Sequence, residues 1–296
     1  MNLDFELMEY QEDFVFNLEH EEQGFKGGFR AGKSESAVHK AIYLSMIHAG
    51  KKGALLSPTY GMTVRNLIPI FKRLNQKYNL NIKGLRPRYP DVLYIKFGGK
   101  VSEIHLDISA ENHDRLNGIT LAWCGLDEAD KCNSGAVAQA CWIQMGSRLS
   151  DPAPGQLGIR YATSTPEGYS FMYSNFEENP NEDKILYTAA MTDNYMLPDS
   201  YIESMKRTIP KHLYNSYVMG EFMNLDKNIV YQDFDRKLNH SPITLNDVKP
   251  TEVIHIGMDF NAGGMSAVGS VVRDKKCYTV YENIGARNTR DLGLKL

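Results

Sequence analysis

The feature that most constrains this chain is an eight-residue stretch, Gly27–Ser34, with the sequence GGFRAGKS. It fits the pattern G-x-x-x-x-G-K-[ST], in which glycines let backbone N–H groups close on phosphate oxygens. Residues 24–26 before it suit a short buried strand, and residues 35–49 after it have a helix-forming composition. A strand, a loop and a helix in this order predict a phosphate-binding loop at a helix N-terminus. The alternative is a glycine turn followed by a lysine.

Within this loop we expect distinct roles for two side chains. Lys33 is predicted to hold the β- and γ-phosphates of ATP, and the Ser34 hydroxyl to ligate Mg²⁺, which prefers oxygen ligands. Gln11 lies in a predicted first helix, and its amide offers the donor and acceptor that the edge of an adenine ring needs. A surface glutamine is the alternative for Gln11. The predicted ATP-binding residues are Gln11, Gly27, Gly28, Arg30, Ala31, Gly32, Lys33 and Ser34.

A second chemical element is the mostly apolar run of residues 121–128, LAWCGLDE, which ends in two acids. Such a run predicts a buried strand whose terminal carboxylates lie at the carboxyl edge of the sheet, where open α/β sheets bind ligands. Asp127 is predicted to reach the Mg²⁺ shell, and Glu128 to orient or deprotonate the water that attacks the γ-phosphate. The alternative is an ordinary strand end.

A third element follows a predicted strand over residues 156–162 and consists of Thr163, Ser164 and Thr165, before Pro166-Glu167-Gly168. Hydroxyls at the carboxyl end of a strand are suited to hydrogen-bond a phosphate, the attacking water or Glu128. A Ser/Thr-rich turn closed by proline and glycine is the alternative.

The sequences GGFRAGKS, LDEAD and ATSTPEGY, in this order, resemble the large terminase subunit of tailed bacteriophages and prophages, a motor that packages DNA into preformed capsids. The resemblance covers roughly residues 5–270. It implies an α/β fold: a P-loop additional-strand ATPase with a parallel central sheet and a small helical lid, followed by the start of an RNase H-like nuclease domain. The implied boundaries are 1–170 for the ATPase core, 171–225 for the lid, 226–250 for a linker and 251–296 for a truncated nuclease segment.

The resemblance also implies roles for individual residues. Gln11 matches the adenine-reading glutamine, Thr163–Thr165 the motif that couples hydrolysis to movement, and Asp259 the first metal carboxylate of a nuclease that uses Mg²⁺ or Mn²⁺. Arg115 lies in a segment that resembles the one where these motors carry an arginine. We expect it to act as an arginine finger, at the opposite end of the sheet from its own γ-phosphate; a surface pair with Asp114 or Glu111 is the alternative.

One departure from the family pattern concerns the loop arginine. Family members frequently place an arginine directly after the double glycine, whereas here Phe29 fills that position and Arg30 follows.

The basic residues of this chain are concentrated in one stretch, although its 296 residues carry a formal net charge of −3. Residues 65–100 contain a single acid, Asp91, with aromatic residues interleaved, and this pattern favours contact with a polyanion. We predict DNA contacts by Lys96 and Lys100, at either end of the turn between two antiparallel strands, 92–97 and 101–108. A solvated helix face with an exposed hairpin is the alternative. The basic residues are Arg65, Lys72, Arg73, Lys77, Lys83, Arg86, Arg88, Lys96 and Lys100.

Several classes of protein are disfavoured by the sequence. It contains no run of about 18 apolar residues and starts with an acidic segment rather than a secretory signal, so we expect no membrane association and a location in the host cytoplasm. The four cysteines lack zinc-ligand spacing. The resemblance implies double-stranded DNA, the portal protein of the procapsid, the small terminase subunit and a homo-oligomeric ring as partners. Alternatives are a superfamily 2 helicase-like DNA translocase and a nucleotide-dependent DNA-binding or assembly module.

Overall fold

The structure is a computed structural model that describes residues 4–86, 91–223, 239–259 and 265–286. The chain divides into two compact units, Met1–Lys227 and Asn228–Leu296, here called the N-terminal and the C-terminal unit. Arg88, residues 226–238 of the predicted linker and residues 287–296 of the predicted nuclease segment lie outside the described residues.

The N-terminal unit is built on a seven-stranded sheet in the order β3-β4-β2-β5-β6-β1-β7. All neighbouring strands run parallel except β3, which pairs antiparallel with β4 at one edge. The predicted parallel central sheet is therefore confirmed. The strands are β1 Glu22–Gly27, β2 Lys52–Leu56, β3 Val92–Phe97, β4 Lys100–His105, β5 Trp123–Asp127, β6 Ile159–Ser164 and β7 Lys184–Ala189.

Helices cover both faces of this sheet because the central strands are buried on both sides. One face carries the aromatic side chains Trp123 and Tyr161, which lie in a core with residues of α1, α2 and α4. The other face carries Cys124 and Leu126, which lie in a core with residues of α5. The helices of this unit are α1 Glu9–Phe16, α2 Lys33–Ile47, α3 Tyr60–Met62, α4 Ile68–Lys77, α5 Gly135–Gly146, α6 Asp199–Thr208 and α7 Tyr214–Tyr217.

Shorter helical turns connect these elements. A π-helical turn lies between α3 and α4, an irregularity that often marks functional sites. The π turns are Thr63–Leu67 and Tyr173–Glu178, and the 3₁₀ turns are Ala110–Leu116, Ala129–Lys131, Met191–Asp193, Lys211–Leu213 and, in the C-terminal unit, Leu245–Asp247.

The segment 171–225, predicted as a lid, contributes a strand to the central sheet. Its strand β7 pairs in parallel with β1 along its whole length. The hydrophobic residues that follow β7 form a small separate cluster around Met191, Ile209 and Val218. Strand β7 therefore belongs to the central sheet, because it completes the hydrogen bonding of β1. Only the part after β7 has a hydrophobic cluster of its own.

The end of this segment lies directly against the phosphate-binding loop. Gly220 adopts a φ of +70°, and its carbonyl accepts a hydrogen bond of 3.0 Å from the Lys26 ammonium group. The same ammonium group lies 4.8 Å from the centroid of the Phe222 ring. The chain from 217 to 222 is therefore held on the strand that leads into the loop.

The C-terminal unit contains a three-stranded antiparallel sheet in the order β10-β9-β8. The strands are β8 His255–Asp259, β9 Met265–Arg273 and β10 Lys276–Ala286. In neither unit is a described helix long and apolar enough to cross a membrane.

Replacing Gly220 with alanine should destabilise the N-terminal unit more than the same change at Gly155. A Cβ atom at Gly220 would lie 2.6 Å from the Gly27 Cα atom and 2.8 Å from the Gly28 nitrogen, and backbone atoms cannot rotate away. Gly155 also has a positive φ, +76°, but nothing lies within 4 Å of its added Cβ. We expect losses in the free energy of unfolding of about 3 kcal/mol for Gly220→Ala and about 1 kcal/mol for Gly155→Ala, measured by urea denaturation. Equal losses would show that backbone conformation alone decides the effect.

Candidate nucleotide-binding site

The candidate site lies where the neighbouring strands β5, β6 and β1 end. Because these strands are parallel, their carboxyl ends meet at one edge of the sheet, the edge at which α/β proteins bind ligands. A cleft of about 1290 Å³ opens there. Its lining includes Gln11, Lys33, Ser34, Glu128 and Thr165. The structure therefore brings together residues from all three motifs.

The phosphate-binding loop connects β1 to α2. Gly27 ends β1, and Gly32 has a φ of +78° that a glycine adopts without strain. Since α2 begins at Lys33, the N–H groups of its first turn have no intrahelical carbonyl to bond. Together with the helix dipole, these N–H groups form an anion-binding site of the kind the sequence predicts.

Lys33 lies buried at the base of this loop. Its ammonium group donates a hydrogen bond of 2.8 Å to the Gly28 carbonyl. Burial lowers the pKa of Lys33, while the neighbouring carboxylates of Glu128 and Asp127 act to raise it. An anionic phosphate beside Lys33 would favour the charged ammonium form and offset the effect of burial on its pKa.

Asp127 joins the three elements. Its carboxylate accepts hydrogen bonds from the Ser34 hydroxyl, 3.0 Å to each oxygen, and from the Thr163 hydroxyl, 2.7 Å. Complete burial and the nearby Glu128 raise the pKa of Asp127 to about 7, against the lowering effect of these hydrogen bonds and of Lys33. A carboxylate and a hydroxyl facing each other at the end of the loop are the donor set that Mg²⁺ takes beside nucleotide phosphates, so the residues present fit this ion.

Glu128 has two unusual features. Its φ of +57° lies in the left-handed region, which is uncommon for residues other than glycine and concentrates at functional sites. Its Oε2 atom is buried and has no hydrogen-bond partner among the described residues. A carboxylate oxygen without a partner, on a residue that lines the cleft, is suited to accept a proton from a bound water.

The three hydroxyl residues have three different positions. Thr163 and Ser164 lie within β6, not after it as predicted, because β6 extends to pair with the end of β5. Thr163 bonds Asp127, Ser164 accepts a hydrogen bond of 3.1 Å from the Asp130 N–H group, and Thr165 lines the cleft.

Asp130, in the LDEAD sequence, is a residue that the sequence analysis did not assign. Its carboxylate accepts hydrogen bonds from the N–H groups of Met172, at 2.9 Å, and Glu167, at 3.4 Å. Burial raises the pKa of Asp130 to about 6 despite these bonds. Asp130 therefore holds the chain that follows Thr165 in place. In the sequence, its position two residues after Glu128 is the signal that could have identified it.

Gln11 contacts the loop itself. Its amide group donates hydrogen bonds to the Gly32 carbonyl, 3.3 Å, and the Ser36 hydroxyl, 3.0 Å, and accepts one from the Met8 N–H group, 3.0 Å. Both amide hydrogens are thus used, and the second lone pair of Oε1 is what remains for a base. Adenine recognition by Gln11 stays a prediction.

Arg115 lies at the carboxyl edge of the sheet, and the expectation that it lies toward the opposite end is wrong. Its guanidinium group donates to the Tyr60 hydroxyl, 2.7 Å, and the Asp107 carbonyl, 3.0 Å, and these residues follow β2 and β4. The Ala110 N–H group bonds the Ser57 carbonyl at 2.9 Å, which holds the segment there before it returns to β5.

The predicted alternative for Arg115 also differs from the structure. Its ion-pair partner is Asp107, at 3.7 Å, rather than Asp114 or Glu111. The Arg115 side chain is 57% exposed and does not line the cleft.

Residues of the basic stretch lie in different parts of the N-terminal unit. Arg65, Arg73 and Lys77 line the cleft, so they do not belong to a separate polyanion surface. Lys96 and Lys100 are exposed at the tip of the β3–β4 hairpin, as predicted. On helix α4, Arg73 pairs with Glu35 and Lys77 pairs with Glu6, and sequence spacing alone does not reveal these contacts.

Asp259 ends β8 in the C-terminal unit and is exposed. Within the described ranges, no group of three or more His, Cys, Asp or Glu side chains is placed to hold a metal ion.

Solved structures with the same fold are large terminases of thermophilic phages. The large terminase of bacteriophage D6E is 20% identical over 98% of this chain and 73% of that chain, with a TM-score of 0.65. The same protein in complex with ADP matches with a TM-score of 0.64, at 20% identity over 97% of this chain and 72% of that one. The ATPase domain of the Thermus phage P74-26 large terminase is 19% identical over 75% of this chain and 96% of that chain, with a TM-score of 0.57.

These likenesses show that the chain has the fold of large-terminase ATPases, so the predicted α/β ATPase fold with a parallel central sheet is confirmed. The start of an RNase H-like nuclease domain stays a prediction. No protein-family model and no curated protein sequence matches the chain.

Replacing Asp127 with asparagine should stabilise the protein at alkaline pH in the absence of Mg²⁺. The pKa of Asp127 in the folded protein, about 7, lies above its ordinary value. The folded state therefore binds this proton more tightly than the unfolded state, and stability is lost as the pH rises between the two values, by roughly 1.4 kcal/mol per pKa unit at most. Asparagine carries no charge to bury.

We expect the melting temperature of Asp127→Asn to exceed that of the wild type at about pH 8 and the difference to shrink at about pH 5. The exposed Asp114→Asn serves as the control and should follow the wild type at both values. A difference in melting temperature that does not depend on pH would contradict the raised pKa of the buried Asp127.

Proposed function

We propose that this chain is the ATP-hydrolysing motor of a phage or prophage packaging machine, a large terminase that translocates double-stranded DNA into a preformed capsid. The observation that carries the proposal is the contact of Asp127 with Ser34 and Thr163, beside the unpartnered Glu128 oxygen. Phosphoryl transfer depends mostly on positioning and on charge stabilisation, and these groups supply both.

Binding of ATP falls to the start of α2. The N–H groups of Gly32, Lys33 and Ser34 hold the phosphate oxygens, and the Lys33 ammonium group exchanges the Gly28 carbonyl for the β- and γ-phosphates. Ser34 and Asp127 would hold Mg²⁺, which neutralises charge on the phosphates when it is bound.

Hydrolysis falls to Glu128. Its carboxylate orients the attacking water in line with the γ-phosphate and accepts the proton as the new P–O bond forms. Because Oε2 has no competing partner among the described residues, it is free to bond this water. We assign residues 163–165 the role of coupling hydrolysis to movement, which is supported by the hydrogen bond from Thr163 to Asp127 and by the place of Thr165 in the cleft lining.

The comparisons with solved structures support both the proposed nucleotide, ATP, and the proposed packaging motor. The D6E large terminase, which has this fold, has been solved with ADP and with ATP-γ-S. By the same likeness we propose double-stranded DNA, the portal protein, the small terminase subunit and a homo-oligomeric ring in the host cytoplasm as partners and setting. We also propose the division into ATPase core, lid, linker and the start of a nuclease domain, with no cleavage step assigned to Asp259.

Lys33→Ala and Glu128→Gln should separate binding from hydrolysis. Lys33 contacts phosphate in the ground state, whereas a base acts mainly in the transition state. We expect Lys33→Ala to lose affinity for ATP-γ-S and Glu128→Gln to keep that affinity, while both lose DNA-stimulated ATPase activity by about 100-fold or more. Nucleotide titration and a phosphate-release assay measure the two steps. Equal binding defects would remove Glu128 from its role, and strand separation by the wild type would favour a helicase.

Reversing the charge of Lys96 and Lys100 together should weaken the salt dependence of DNA binding. A packaging motor passes any sequence, so these exposed lysines are proposed to contact phosphates. Each lost phosphate contact lowers the slope of log K against log salt by about 0.9, so we expect a reduction of about 2. Charge reversal of Lys206 and Lys211, in the helical segment after β7, is the matched control. An unchanged slope would assign the hairpin lysines to solvation alone.

Arg115 is proposed to act as an arginine finger on the ATP of a neighbouring subunit. Its guanidinium group is exposed at the nucleotide edge of the sheet but does not line its own cleft. Mixing Arg115→Ala with Glu128→Gln chains should restore part of the activity, because some interfaces then hold an intact site, and a finger in trans is worth about 10³–10⁵ in rate. Mixtures that stay inactive while rings form would exclude this role.

A further inference from the structure

The first half of the phosphate-binding loop is bonded to the segment 189–220. The Gly28 N–H group donates to the Ala189 carbonyl, 3.0 Å, and the Phe29 N–H group donates to the Tyr217 carbonyl, 2.7 Å. The rings of Phe29 and Tyr217 are stacked, with their centroids 4.5 Å apart. Phe29 therefore fastens the loop to α7.

Arg30 follows in a left-handed conformation, with a φ of +61°. For a residue with a Cβ atom this conformation is unfavourable and persists where neighbouring groups hold it. The holding contact is visible: the Asn194 Nδ2 group donates a hydrogen bond of 2.7 Å to the Arg30 carbonyl.

Asn194 is itself fixed by a second bond. Its Oδ1 atom accepts a hydrogen bond of 3.1 Å from the Met196 N–H group, so both ends of the amide are engaged. Asn194 and Arg30 both line the cleft, together with Lys33 and Glu128. Arg30 has no ion-pair partner in the part of the chain that the structure describes, which leaves its charge available to a polyphosphate.

We propose that Asn194 is a positioning residue: by bonding the Arg30 carbonyl it fixes the peptide at the tip of the loop and so directs the Arg30 guanidinium group toward the phosphates of bound ATP. The inference rests on the proposed ATPase function. It explains how a chain with Phe29 directly after the double glycine retains an arginine at the loop, one position later.

The test compares Asn194→Ala and the isosteric Asn194→Asp, which keeps the acceptor for Met196 but loses the donor to Arg30. Asn215→Ala, an exposed asparagine at the start of α7, is the control. Each change is made in the wild type and in an Arg30→Ala background. The readouts are kcat and KM for ATP, the affinities for ATP-γ-S and ADP by titration, and the melting temperature.

We expect both Asn194 variants to lower kcat/KM by about fivefold or more, the size of one hydrogen bond, with little change in melting temperature, and to add no further loss in the Arg30→Ala background. Equal losses in both backgrounds, or behaviour like Asn215→Ala, would overturn the proposal. A wild type that binds nucleotide without hydrolysing it would contradict the motor function instead, and the ATP-γ-S affinities of the same variants would still decide the role of Asn194.

Discussion

The hydrogen bonds that Asp127 accepts from Ser34 and Thr163 are the constraint on which the rest of the site depends. They connect the helix after β1 with the ends of β5 and β6, three strands that are adjacent in the sheet although 93 residues separate Ser34 from Asp127. Burial of a carboxylate is unfavourable, as the raised pKa of Asp127 shows. The fold accepts this destabilisation at the place where a cation and phosphates would offset it.

A buried lysine of α2 is bonded to the end of α1. The Lys40 ammonium group donates hydrogen bonds to the carbonyls of Phe14, 2.7 Å, Val15, 3.3 Å, and Asn17, 3.1 Å, at the end of α1. Its three donors thus match three carbonyls that the end of a helix leaves unbonded, although burial lowers the pKa of Lys40 well below its ordinary range. Lys40 thereby joins α2 to the end of α1, the helix that carries Gln11.

Local signals were sufficient for part of this architecture. The glycine spacing of the loop favours a helix after it, and an apolar run that ends in Asp127 and Glu128 favours a buried strand, so both were predictable. The pairing of β7 with β1 and the position of Arg115 were not, because each depends on contacts with residues more than 50 positions away. For the same reason Asn194 carries no signal in the sequence: its role exists only where the loop and the segment after β7 meet.

The two halves of the phosphate-binding loop differ in the hydrogen bonds that their N–H groups make. The N–H groups of Gly28 and Phe29 donate hydrogen bonds to the carbonyls of Ala189 and Tyr217, so neither N–H group is open to an anion in this structure. The N–H groups of Gly32 to Glu35, at the start of α2, have no intrahelical partner and are open to an anion. A nucleotide bound to this second half would therefore contact a loop whose first half is fixed to Ala189 and Tyr217. Arg30 lies between the two halves, and its left-handed backbone is held there by the hydrogen bond from Asn194.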